Sequence, residues 1–175
     1  MIATQHLTGD KPAQYTQLAE QARALLAGER DRVANAANLT ALVYHALPEL
    51  NWVGFYFFDG RELVVGPFQG QPACVRIPLD RGVCGAAARS GQTQRVDDVH
   101  DVPDHIACDA ASRSELVVPL FRSGAAGDAT LTGPALTGPA FIGVFDIDSP
   151  VPARFDVMDQ QGLEEIARVF VESLA

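Results

Sequence analysis

The sequence predicts an α+β fold: a single domain spanning residues 1–175, with an antiparallel sheet, the N- and C-terminal helices packed on one face and a ligand pocket on the other. Three observations predict it. Apolar residues recur with a 3.6-residue period near both ends of the chain. Short apolar or alternating runs bounded by turn residues fill the middle. The 175 residues, 47% hydrophobic and 20% charged, suffice for one domain with a core that needs no metal or disulfide.

The first helix is expected over Pro12 to Gly28, where Tyr15, Leu18, Ala19, Ala22, Leu25 and Leu26 form a stripe. Proline suits its first turn and glycine its end. A second helix runs from Asp31 as N-cap to about Leu47, stopped by Pro48. Asn51 to Asp59 and Glu62 to Gln69 read as a hairpin around Asp59-Gly60. A third strand is expected over Ala73 to Leu79, a short helix over Gly82 to Arg89, and a brief strand over Thr93 to Val96. His100 to Ser114 reads as irregular, followed by strands over Glu115 to Arg122 and Ala140 to Asp148. A last helix, capped by Asp156, places Leu163, Ile166, Ala167, Phe170, Val171 and Leu174 on one face. Between the last two strands, Ser123 to Pro139 is a low-complexity loop insertion with the tandem repeat LTGPALTGPA over Leu131 to Ala140. Gly, Ala, Thr and Pro pack no core there, and a longer surface loop costs little stability.

The net charge of −9 opposes binding to nucleic acid and to anionic membranes, because both need a basic footprint. MIATQHLTGD does not read as a signal peptide, and no window approaches the roughly 18 apolar residues of a membrane helix. The expected location is the cytoplasm. There a disulfide among Cys74, Cys84 and Cys108 would be transient and catalytic, while buried structural thiols are the plainer alternative.

Candidate chemistry sits on three segments. In NWVGFYFFD, Trp52, Gly54 and Tyr56 share one strand face, with Val53, Phe55 and Phe57 on the other. Two aromatics flanking a glycine would wall a gap for a methyl or thioether, or would simply pack as half-buried sheet residues. In FIGVFDID, Asp146 and Asp148 share a face with Val144, about 7 Å apart, opposite Phe145 and Ile147. They cap the following turn, or they line a cation site together with Glu115. Three converging acids would repel, so one would stay protonated near neutral pH. The cysteines are spaced by 10 and 24 residues, with no Cys-x-x-Cys pair. His100, His105, Cys84 and Cys108 match no familiar zinc spacing. Near Cys108, His105 and Arg113 favour a thiolate, while Asp104 and Asp109 oppose it. Cys84 lies near a helix start, which also favours thiolate. These arguments alone do not choose a nucleophile.

NWVGFYFF, GPFQGQPACVRIP, RGVCGAAA, DVHDVPDHIACDAASRSELVVPL and GVFDIDSP, in this order, closely resemble the free methionine (R)-sulfoxide reductase family, a catalytic branch of the GAF fold. The resemblance covers Asn51 to Pro150 apart from the insertion. It implies that Cys108 is the nucleophile, Cys74 the principal resolving cysteine and Cys84 the third family cysteine. It also implies that Trp52 and Tyr56 surround the substrate methyl, and that Glu115, Asp146 and Asp148 handle the sulfoxide oxygen and the ammonium. Free methionine (R)-sulfoxide would be the substrate and a thioredoxin-like dithiol the reductant, with no metal or organic cofactor. GAF domains often pair through terminal helices, so a homodimer fits. The competing readings are a non-catalytic GAF ligand-binding module and a thiol redox sensor. The first would need an output domain, and the second would not need the aromatic and acidic pocket.

Overall fold

The protein is described from a computed structural model, over residues 5–102, 110–122 and 141–175. Aspartates start its long helices. Asp10 accepts a hydrogen bond from the Ala13 amide at the head of α1 (Lys11–Leu26). Asp31 accepts from the Val33 and Ala34 amides at the head of α2 (Arg32–Ala46). Each satisfies amides that have no partner within the helix. Helix α2 ends at Leu47, because Pro48 disfavours helical backbone in the residue before it.

The sheet has the order β3-β2-β1-β6-β5-β4, with every described pairing antiparallel. Its strands are β1 (Trp52–Phe58), β2 (Leu63–Gly70), β3 (Arg76–Ile77), β4 (Gln94–Val96), β5 (Ser114–Phe121) and β6 (Phe141–Ser149). The expected third strand shrinks to two residues. Pro72 and Pro78 bracket that segment without N–H donors, so only a short edge pairing forms. Cys74 therefore sits in irregular chain before β3 rather than in a strand. Within the segment expected to be irregular, Val99–Asp101 forms a 3-10 turn whose His100 amide is accepted by Asp98.

Alternation along β1, β5 and β6 divides the sheet into two apolar layers. Val53, Phe55, Phe57, Leu116, Val118, Phe145 and Ile147 face α1, α2 and the last helix, α4 (Val157–Ser173). Phe55 anchors this layer, with ring centroids 4.7 Å from Phe145 and 4.4 Å from Phe170. Gly162 of α4 lies directly under the Tyr15 ring, where a Cβ would come within 2.1 Å, and this lets α1 and α4 approach closely. Tyr15 donates to buried Asp159 at 2.8 Å, and Lys11 and Arg154 pair with the same carboxylate.

The other face carries α3 (Gly82–Ser90), closed by Gly91 in the left-handed region at φ 64°. Its Val83, Cys84, Ala87 and Ala88 pack with Trp52, Tyr56, Leu63, Val117 and Val144. A bulge at Gly143 resets the alternation. Leu120 pairs with Gly143 but Phe121 pairs with Phe141, so Phe141 joins the α3 layer and Ile142 the layer opposite. Only glycine fits at that bulge, with φ 148° and the Tyr56 carbonyl 2.1 Å from where a Cβ would stand.

No helix among the described residues is long and apolar enough to cross a membrane. Cys108, His105 and the Ser123 to Pro139 insertion lie outside the described residues.

Candidate active site

Strand register assembles the site. Asp148 lies between Trp52 of β1 and Glu115 of β5, its partners on either side. Asp146 lies between Gly54 and Val117. Because alternate residues share a face, these positions look toward α3, together with Tyr56 and Val144. Helix α3 delivers Cys84 to the same place, with Sγ 4.0 Å from Glu115 Oε1. Cys84, Glu115 and Asp146 each offer a donor atom within 4.8 Å of the others. All are buried, Asp146 being 6% exposed. The turn after β6 is held by serines instead: Ser149 Oγ accepts from the Val151 amide and Ser114 Oγ donates to the Val151 carbonyl. The two aspartates thus belong to the interior face.

Burial next to like charge sets the protonation of this cluster. Burial first, then the charges of Asp146 and Asp148, push Glu115 well above the usual carboxyl range. Burial pushes Asp146 up to about 7, opposed by hydrogen bonds from Cys84 and Glu115 and from the Ile147 amide. Burial and neighbouring charge thus favour the protonated form of Glu115. The expectation for Cys84 is overturned. Burial, followed by the charges of Asp146, Glu115 and Asp148, holds its thiol well above the ordinary value, and the start of α3 does not offset them. Cys84 is a buried thiol donor in this arrangement, not a thiolate.

The aromatic wall also differs from expectation. Gly54 does not leave an open gap, because the Trp52 indole lies across it and a Cβ there would meet Trp52 Cη2 at 2.2 Å. Trp52 is 2% exposed, with centroids 5.7 Å from Tyr56 and 5.3 Å from Phe68, and its Nε1 donates to the Gln71 carbonyl at 3.2 Å. Phe68 was absent from the sequence reading. The signal was its pairing with Gly54, which depends on a register shift in β2 at Gly66-Pro67 that alternation does not show. Cys74 is half-buried and packs against this same layer. His100 does not join Cys84 in a zinc set. It is exposed, with Nδ1 2.7 Å from Asp98, which also accepts from Arg113.

The GAF domain family model matches residues 15–174. Protein YtsP of Bacillus subtilis (strain 168) is 47% identical over 178 residues, 100% of this chain and 99% of its own. The free methionine-R-sulfoxide reductase of Escherichia coli (strain K12) is 45% identical over 161 residues, 92% of this chain and 88% of its own. The chain belongs to the free methionine-R-sulfoxide reductase family. A reductase of this family from Neisseria meningitidis, solved in complex with its substrate, superposes with a TM-score of 0.86 at 43% identity, over 99% of this chain and 96% of that one. The α+β architecture is thus that of the free methionine-R-sulfoxide reductases, with the terminal helices on one side of the sheet and the acidic and aromatic residues on the other.

Proposed function

We propose that the protein reduces free methionine (R)-sulfoxide to methionine. The observation that carries this reading is the buried juxtaposition of Glu115, Asp146 and Asp148 with Trp52 and Tyr56 on one sheet face. The aromatic side receives the methyl and thioether. The acids receive the ammonium, and protonated Glu115 donates to the sulfoxide oxygen. Cys108 is the nucleophile: its thiolate attacks the sulfoxide sulfur, methionine leaves, and the oxygen remains on Cys108 as a sulfenic acid. Cys74 condenses with it, releasing water and forming a disulfide. A thioredoxin-like dithiol then exchanges with the disulfide and restores both thiols. The elevated Cys84 thiol suits a supporting role better than attack. Because the cycle starts from reduced thiols, a reducing compartment such as the cytoplasm is its proper location.

The test is turnover of free methionine (R)- and (S)-sulfoxides with dithiothreitol. The expected result is catalytic release of methionine from the (R) epimer only. Binding of the (R) epimer without turnover would identify a non-catalytic GAF module and overturn the proposal.

A further inference from the structure

The Cys84–Glu115–Asp146 cluster has donor chemistry that goes beyond a proton relay. It offers one sulfur and two carboxyl groups from three separate elements, α3, β5 and β6, with donor atoms within 4.8 Å of one another. Zinc bonds sulfur at about 2.3 Å and carboxylate oxygen at about 2.0–2.2 Å, which places ligand atoms on the order of 3.5 Å apart. Side-chain rotation of about an ångström would close the set. A second observation points inward. Asp146 is nine-tenths buried, and although Cys84, Glu115 and the Ile147 amide donate to its carboxyl, its Oδ1 has no hydrogen-bond partner among the described residues. A buried carboxylate oxygen without a donor is costly unless a cation or another donor completes it.

We infer that Cys84, Glu115 and Asp146 form a binding site for a thiophilic divalent cation of the zinc, cobalt or cadmium class in the reduced protein. The sulfur ligand selects these ions over magnesium and calcium, which prefer oxygen alone. Three protein ligands leave a fourth position for water, the arrangement of an open zinc site. Binding transfers no electrons: the metal replaces the Cys84 thiol proton and any proton shared by the carboxyls, and these go to solvent. The metal then occupies the space that the proposed function gives to the substrate's ammonium and oxygen. It is therefore a competitive inhibitor of the reduced enzyme, and this consequence rests on the reductase reading.

The test uses the full chain carrying Cys74→Ser and Cys108→Ser, so that Cys84 is the sole thiol, titrated with Co2+ without oxygen. A near-ultraviolet thiolate-to-cobalt charge-transfer band saturating at one equivalent and lost on adding Zn2+ is expected. Glu115→Gln and Asp146→Asn, each confirmed as folded by circular dichroism, should each weaken Co2+ binding by on the order of tenfold to a hundredfold. No band in the Cys84-only chain, or a band indifferent to both carboxyl substitutions, overturns the site. In the unsubstituted enzyme, Zn2+ should raise the KM for methionine sulfoxide without lowering kcat. A band in the Cys84-only chain together with no reductase activity of the unsubstituted enzyme would leave the metal site standing and fail the proposed function instead, while noncompetitive inhibition of the unsubstituted enzyme would overturn the claim that metal and substrate share the space.

Discussion

Replacing Asp146 with asparagine should stabilise the protein in alkaline solution while removing much of its activity. The folded carboxyl keeps its proton up to about 7, whereas an ordinary aspartate loses it near 3.8. Across that window the native state binds more protons than the unfolded chain, so stability falls as pH rises and the loss is complete above about 7. At about 1.4 kcal/mol for each pH unit, the whole window corresponds to a ceiling of about 4 kcal/mol. Relaxation around the charge lowers the expected effect to about 1–4 kcal/mol. Asparagine resembles the protonated acid and carries no such penalty. Urea unfolding of parent and Asp146→Asn, with a phosphine reductant and a chelator, should show near-equal stability at pH 4. The variant's advantage should open progressively and level off by pH 8, where about 2–4 °C in Tm accompanies each kcal/mol. Turnover should fall by on the order of a hundredfold or more. An advantage that does not change with pH, or a less stable variant at pH 8, would refute the assignment of a buried, charge-strained carboxyl.

Gly143→Ala should cost more than about 2 kcal/mol in urea unfolding, from the backbone strain at φ 148° and the close Tyr56 carbonyl, and an unchanged midpoint would contradict the bulge geometry. Trp52→Ala should lose about 3–5 kcal/mol of folding stability, because the indole is enclosed by Tyr56 and Phe68; a loss under about 1 kcal/mol would show the stack to be loose. Rapid-quench measurement with one equivalent of sulfoxide and no reductant should find no methionine from Cys108→Ser but one methionine per chain from Cys74→Ser; full release by Cys108→Ser would remove the proposed nucleophile. Peptide-bound methionine sulfoxide should be reduced poorly, since its amide nitrogen carries no charge for the acids, and efficient reduction would count against the ammonium site.

What could be read in advance was whatever depends on period and local caps. Two-residue alternation put Trp52 and Tyr56 on one face, and Asp146 and Asp148 on one face, and antiparallel pairing then brought Glu115 beside Asp148. Asp31 and Asp156 marked helix starts because capping is a short-range interaction. The misreadings arose where distant chain decides. Whether Gly54 opens a gap depends on the rotamer of Trp52, which is set by Phe68 and Gln71. The protonation of Cys84 depends on carboxyls 31 and more positions away, and not on the helix it begins.

The two apolar layers have a consequence for local motion. They share the central strands but are otherwise separate clusters, the larger formed with the long helices and the smaller with α3. Cooperative opening follows packed units, so α3 and the Cys74 segment can detach from the sheet while α1, α2 and α4 stay closed. Amide hydrogens of α3 should then exchange with solvent far faster than those of β1 and β6. A cycle that reshapes cysteine-bearing chain at every turnover would be confined to the less protected half, leaving the frame that holds the aspartates in register undisturbed.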